Sequence, residues 1–137
     1  SATPLPRTLL DGPLDFASLA QAGSRAGSGA VIVVGSHRCI LDVVLNTTAF
    51  FAHESCGKCA PCRVGTEKML QMLERMRRGQ GIKSDVDLMN ELSTTMDQGS
   101  ICGLGQAAPN PVLAALRTWR EEMEAHVSGR CPAGVCR

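Results

Sequence analysis

Three cysteines within seven residues, Cys56-Gly57-Lys58-Cys59-Ala60-Pro61-Cys62, constrain this chain more than any other feature. The spacing forces three thiols into one small volume, and the fold has to be built around whatever they grip. Structural zinc usually draws two ligands from each of two knuckles. Three from a single turn is the habit of [4Fe-4S] sites, where the loop wraps three corners and a distant cysteine supplies the fourth. The pattern therefore favours an iron-sulfur cluster over zinc or unmetallated thiols. Its surroundings suit an anionic group. Pro61 is a favoured first-turn residue, so the positive end of a helix would face the sulfurs. Gly57 lets backbone N–H groups come close, and Lys58 and Arg63 bring positive charge.

The chain has seven cysteines, and the other four are Cys39, Cys102, Cys131 and Cys136. An odd number, with no signal-like apolar segment at the N-terminus, argues against a disulfide framework. It favours a reducing, cytoplasmic setting in which thiols serve metal. Cys102 is the choice for fourth cluster ligand, because Gly99-Ser100-Ile101-Cys102-Gly103-Leu104-Gly105 is a tight loop between two helical segments. Cys39, beside Ile40 and Leu41, reads as an ordinary buried thiol. Cys131-Pro132-Ala133-Gly134-Val135-Cys136 can turn both sulfurs toward one ion. Two ligands do not complete a tetrahedral site. A separate zinc there needs His126 or another chain, and the alternatives are a free or crosslinked pair in the tail or an additional iron-sulfur centre. His37, His53 and His126 otherwise read as surface or capping residues, with His53 close enough to touch the cluster environment.

Apolar spacing predicts a mainly α fold in which four amphipathic helices form a bundle. The first helix is expected over about 41–52, with Val43, Val44, Leu45, Phe50 and Phe51 as its apolar faces. The second starts near Pro61, carries Met69, Leu70, Met72, Leu73 and Met76, and stops at Arg77-Arg78-Gly79. The third opens at Ser84-Asp85-Val86-Asp87, a capping-box pattern, and runs through Leu88, Met89, Leu92 and Met96 to Gly99. The fourth starts at Asn110-Pro111 and carries Val112, Leu113, Leu116, Trp119 and Met123 to Ser128-Gly129. The methionines read as core filler, and Arg75, Arg77, Arg78 and Lys83 as a solvated helix end. The expected organisation is residues 1–38 as the end of a small β-containing domain or linker, 39–128 as the helical cluster-binding bundle and 129–137 as a cysteine-containing tail. In the first part Asp15 to Ala22 suggests a helical turn, and Ala30-Val31-Ile32-Val33-Val34, between glycines, suggests a buried strand whose partners lie elsewhere. No apolar run approaches the ~18 residues that cross a bilayer. A net charge of +1 argues against a nucleic-acid footprint.

The motifs also carry a resemblance. Glu54-Ser55-Cys56-Gly57-Lys58-Cys59-Ala60-Pro61-Cys62-Arg63 with Gly65-Thr66, then Ile101-Cys102-Gly103-Leu104-Gly105, resemble the iron-sulfur region of the NADH-oxidising flavoprotein subunit family. That family includes the 51 kDa-type subunit of respiratory complex I, NAD-reducing and bifurcating hydrogenases, and NAD-dependent formate dehydrogenases. Residues 12–33 resemble the stretch just before it, the end of a ubiquitin-like β domain. The resemblance implies a four-helix bundle with one [4Fe-4S] cluster on Cys56, Cys59, Cys62 and Cys102. Gly57 and Lys58 would lie near the cluster, and Leu104-Gly105 would pass near the flavin. FMN and NAD(H) bind, in that family, to a Gly-rich Rossmann-like domain that precedes these modules. Gly23-Ser24-Arg25-Ala26-Gly27-Ser28-Gly29 does not match it, because it precedes a strand-like run, whereas a phosphate cradle opens a helix. The implied role is a relay of single electrons between a flavin on an adjoining domain or subunit and further iron-sulfur centres. The partners would be those of a multisubunit oxidoreductase, cytoplasmic or peripheral to a membrane complex, and the isolated chain is not expected to turn over NADH. A similar Cys-Pro-Ala-Gly-Val-Cys stretch precedes a ferredoxin-like extension in hydrogenase-type relatives. Readings without that relay are a zinc-stapled assembly module and a cluster-based sensor. The sensor lacks a helix-turn-helix signature or a basic patch for its readout.

Overall fold

A computed structural model describes residues 3–136. A 3-10 turn at Arg7–Leu9 and a short helix α1 (Phe16–Gln21) precede α2 (Ile40–Glu54), α3 (Ala60–Arg77) and α4 (Ser84–Gly99). They are followed by α5 (Gly103–Ala107), α6 (Asn110–Thr118) and α7 (Arg120–Val127). The fold is mainly helical. Neighbouring helices α2 and α3 pack together, as do α3 and α4, and α6 closes the bundle against both α2 and α4. The short α5 lies against α3 and α4, which places the loop after α4 beside the start of α3.

The core follows the apolar spacing of the helices. Leu41 and Val44 of α2, Met69, Leu73 and Met76 of α3, Met89 and Met96 of α4, Val112 and Ala115 of α6, and Met123 of α7 are fully buried. All six methionines of the chain lie in this core. Unbranched thioethers fill irregular gaps between helices, and each buried side chain of this size contributes about 1.5–3 kcal/mol. The reading of the methionine stripe as core holds. Spacing puts Phe50 and Leu88 on apolar faces, yet both are exposed.

Several local expectations are corrected. Among the described residues there is no strand, and Val31, Ile32 and Val33 are 71%, 85% and 91% exposed. A strand exists only where a second extended segment takes its backbone N–H and C=O groups, and residues 3–136 provide none. The helical turn after Asp15 does form, and the Asp15 carboxylate caps it by accepting from the Ser18 N–H and hydroxyl. The expected fourth helix is two. Trp119 leaves helical geometry at φ −122°, ψ 39°, while the hydrogen bonds Trp119 N–H to Ala115 O and Met123 N–H to Trp119 O bridge the kink. No capping box forms at Ser84. The Asp85 carboxylate instead accepts from the Ile82 N–H and pairs with Arg75 in a buried position. Arg75 is therefore not merely solvated helix end, and Arg77 reaches Asp42 of α2 at 3.4 Å. These cations tie α3 to its two neighbours.

Candidate metal centre

The loop between α2 and α3 carries Cys56 and Cys59, the first turn of α3 carries Cys62, and the loop between α4 and α5 carries Cys102. The structure brings all four together: Cys56, Cys59, Cys62 and Cys102 line one concavity of about 140 Å³ with Glu54, Lys58 and Leu104. Its geometry is local in origin. Gly57 turns the chain with φ +73°, a left-handed conformation that side chains other than glycine rarely adopt. The Arg63 guanidinium donates to the Gly57 carbonyl and holds this turn against the helix. Cys59 is the N-cap of α3 and Pro61 occupies its first turn. Cys62 therefore sits within the first turn of the helix, buried, while Cys56 and Cys102 remain exposed.

Close approach of α5 completes the wall. A Cβ on Gly105 would lie 2.4 Å from the Ser100 Oγ and 2.9 Å from the Cys62 Cβ, so only glycine lets this turn sit against Cys62. Ser55 Oγ lies 3.3 Å from the Cys62 sulfur. Thr66 Oγ1 donates to the Cys62 carbonyl at 2.8 Å. The backbone N–H groups of Ile101 and Cys62 hold the Cys59 thiol below its ordinary pKa, which favours thiolate. Ser100 Oγ is buried without a partner of ordinary hydrogen-bond geometry among the described residues, yet its hydroxyl adds to the lowering of the Cys59 pKa, so it adjoins the cysteine wall as a donor for negative charge there. Four converging thiols, N–H groups that favour thiolate and a buried hydroxyl fit an iron-sulfur cluster. Lys58 and Leu104 lie on the concavity itself, Gly57 shapes its rim, and Gly105 backs Cys62.

The other histidines and cysteines sort differently. His53 is exposed and its ring nitrogen is 3.1 Å from the Glu54 carboxylate; His37 is exposed too. His126 is neither surface nor cap but buried at 2% exposure. It meets Cys39, Cys131 and Cys136, and the four ligand atoms all lie within 4.8 Å of one another. Cys39 is buried as expected, yet it has company: its sulfur is 3.3 Å from His126 Nε2 and 3.5 Å from the Cys136 sulfur. Burial raises the Cys39 pKa. Burial and the Cys39 thiol push Cys136 up to about 11. Burial also opposes ionisation of Cys131, but N–H groups of Cys136 and Val135 and the His126 ring outweigh it and bring that thiol down to about 6. Cys39 is the member of this group that local reading of the sequence passed over. The only signal was long-range, a thiol that pairs with a tail 97 residues away.

A helical bundle that presents four cysteines on one concavity at the start of a helix has the form of an iron-sulfur-binding module. Residues 42–126 match the NADH-ubiquinone oxidoreductase-F iron-sulfur binding region, and the chain belongs to this family. It is 40% identical over 128 residues to the NADP-reducing hydrogenase subunit HndC of Solidesulfovibrio fructosivorans, covering 93% of this chain and 26% of that protein. It is 37% identical over 129 residues to the mitochondrial NADH-ubiquinone oxidoreductase 51 kDa subunit of Aspergillus niger, covering 93% and 26%. A chain of the NAD+-reducing [NiFe]-hydrogenase in its H2-reduced state superposes with a TM-score of 0.68 at 34% identity, over 74% of this chain and 18% of that one. The chain thus spans about a quarter of the length of these two curated relatives. No helix among the described residues is long and apolar enough to cross a membrane.

Proposed function

We propose that this chain is an electron-transfer module that holds one [4Fe-4S] cluster on Cys56, Cys59, Cys62 and Cys102. In this reading it relays single electrons between an NADH-linked flavin, FMN on an adjoining domain or subunit, and further iron-sulfur centres of a multisubunit NAD(H)-dependent oxidoreductase. The observation that carries the proposal is the convergence of those four thiols on one concavity. When bound, such a cluster supplies a reversible one-electron site whose potential depends on burial and on hydrogen bonds to sulfur.

The chain's own residues do the rest. Cys62, buried behind Gly105, anchors the inner corner, and exposed Cys56 and Cys102 hold the rim. Ser100 Oγ and the N–H groups of Ile101 and Cys62 stabilise negative charge on the sulfur side. Lys58 offsets charge at the mouth, and Leu104 keeps water from one wall. The flavin- and NAD(H)-binding functions belong to the part of the relatives that this chain does not cover, and the partners follow from the complexes in which the relatives are named.

A zinc staple at the same four cysteines is the competing reading, and three thiols drawn from one short stretch argue against it. Tetrahedral zinc with Zn–S bonds of about 2.3 Å holds its sulfurs about 3.8 Å apart. The Cys39 set is a group of that compactness, its four ligand atoms lying within 4.8 Å of one another. A multi-iron core takes one thiolate per iron and needs a wider frame. Iron and sulfide analysis of anaerobically prepared full chain tests the proposal. About four of each per chain are expected, with a brown colour, and Cys102→Ser should lose or convert the cluster. A colourless protein with one zinc at these cysteines would overturn it.

A further inference from the structure

The second thiol cluster lies apart from the cluster pocket, and no residue lines both. We propose that Cys39, His126, Cys131 and Cys136 form a complete intrachain Cys3His site for one zinc ion, which clamps the tail after α7 onto the start of α2. The inference does not depend on the iron-sulfur reading.

The geometry is that of a closed single-ion shell. Tetrahedral zinc with Zn–S of about 2.3 Å and Zn–N of about 2.0 Å separates its ligand atoms by about 3.5–3.8 Å. Here Cys39 Sγ is 3.3 Å from His126 Nε2 and 3.5 Å from Cys136 Sγ, and all four ligand atoms lie within 4.8 Å of one another. None of the thiols is in a disulfide. Four protein ligands leave no open position, which marks a structural site and not a hydrolytic one. Thiolate and imidazole donors select zinc over magnesium or calcium.

The supporting bonds are arranged for a metal. A carbonyl oxygen can only accept, so the 2.7 Å contact of His126 Nδ1 with the Glu122 carbonyl fixes the proton on Nδ1. The Nε2 lone pair is thereby turned toward the thiols, the arrangement in which a ligating histidine donates its other N–H to a fixed oxygen. The Glu122 carboxylate accepts from the Ile40 N–H at 2.9 Å. One residue of α7 thus steadies the histidine with its backbone and the Cys39 segment with its side chain. Cys39 and His126 are 0% and 2% exposed, so two ligands sit on the rigid bundle while the tail brings the other two. No partner chain is required to complete the shell.

Zinc and iron measured separately in the purified full chain test this. One zinc per chain is expected beside the cluster iron. Cys39→Ser, and separately the double variant Cys131→Ser/Cys136→Ser, should each lose at least nine-tenths of the zinc while the brown absorption stays, which shows that the bundle has folded. Cobalt(II) added to protein stripped of zinc should give intense thiolate-to-metal absorption and tetrahedral d–d bands, weakened in Cys39→Ser. Full zinc retention in Cys39→Ser, or no zinc and no tetrahedral cobalt in the wild-type chain, would overturn the proposal. Loss of iron with zinc retained would count against the iron-sulfur reading alone.

Discussion

The two cysteine clusters of this protein are opposite solutions to gathering thiols. The pocket at the start of α3 is open, with two of its four cysteines exposed and three supplied by one short stretch that runs from the α2–α3 loop into the first turn of α3. The Cys39 cluster is tight and partly inside the bundle, and its ligands come from the start of α2, the last turn of α7 and the tail. An open, wide pocket edged by N–H groups suits a multi-iron anion that must exchange electrons with something outside. A closed shell of ligand atoms within 4.8 Å suits one ion that does no chemistry. Exposure and spread, more than residue type, separate a redox site from a staple.

The sharpest break of this comparison is Cys62→Ala. Cys62 is the buried corner of the open pocket, so its loss should abolish cluster iron, from about four per chain to near zero, while zinc stays at one. Equal loss of both metals would mean that the two regions are one cooperative unit.

Removing the zinc with a chelator should act in the other direction. The ion closes the long loop between Cys39 and Cys136, so unfolding free energy should fall by roughly 4–5 kcal/mol, the scale of a crosslink over such a span. Denaturant unfolding followed by circular dichroism reads the loss, and absorbance of the cluster should persist below the transition.

A smaller effect is expected from Gly105→Ala. Its Cβ would meet Ser100 Oγ at 2.4 Å and Cys62 Cβ at 2.9 Å, so backbone must shift at about 1–3 kcal/mol. Iron content and the electron paramagnetic resonance signal of the reduced cluster should change while zinc does not. An unaltered spectrum would show that α5 does not shape the pocket.

The smallest change is Glu122→Ala, which removes the bond to the Ile40 N–H but leaves the carbonyl that orients His126. A loss of about 1 kcal/mol is expected, with both metals retained. Zinc affinity measured by competition with a chromogenic chelator should weaken far less than in Cys39→Ser.

What the sequence determined by itself was whatever is written in near neighbours. The Cys56-Cys59-Cys62 run, Pro61 at the start of α3 and the methionine spacing of α3 and α4 are decided within a turn or two, so the helices and the gathering of three pocket cysteines were legible. Cys102 was legible through its glycine loop, because α5 needs the small residue at 105 to reach Cys62. The tertiary structure decided the rest. It exposed Val31–Val33, for which residues 3–136 provide no pairing strand, and it split the last helix at Trp119. It paired a half-exposed Arg75 with a buried Asp85. Above all, it joined Cys39 to His126 and the tail across 97 positions of chain. A thiol beside Ile40 and Leu41 looks the same in sequence whether it ends in packed hydrocarbon or against an imidazole. Spacing reports only what the backbone can bring together locally, and long-range closure depends on which helix faces bury against each other.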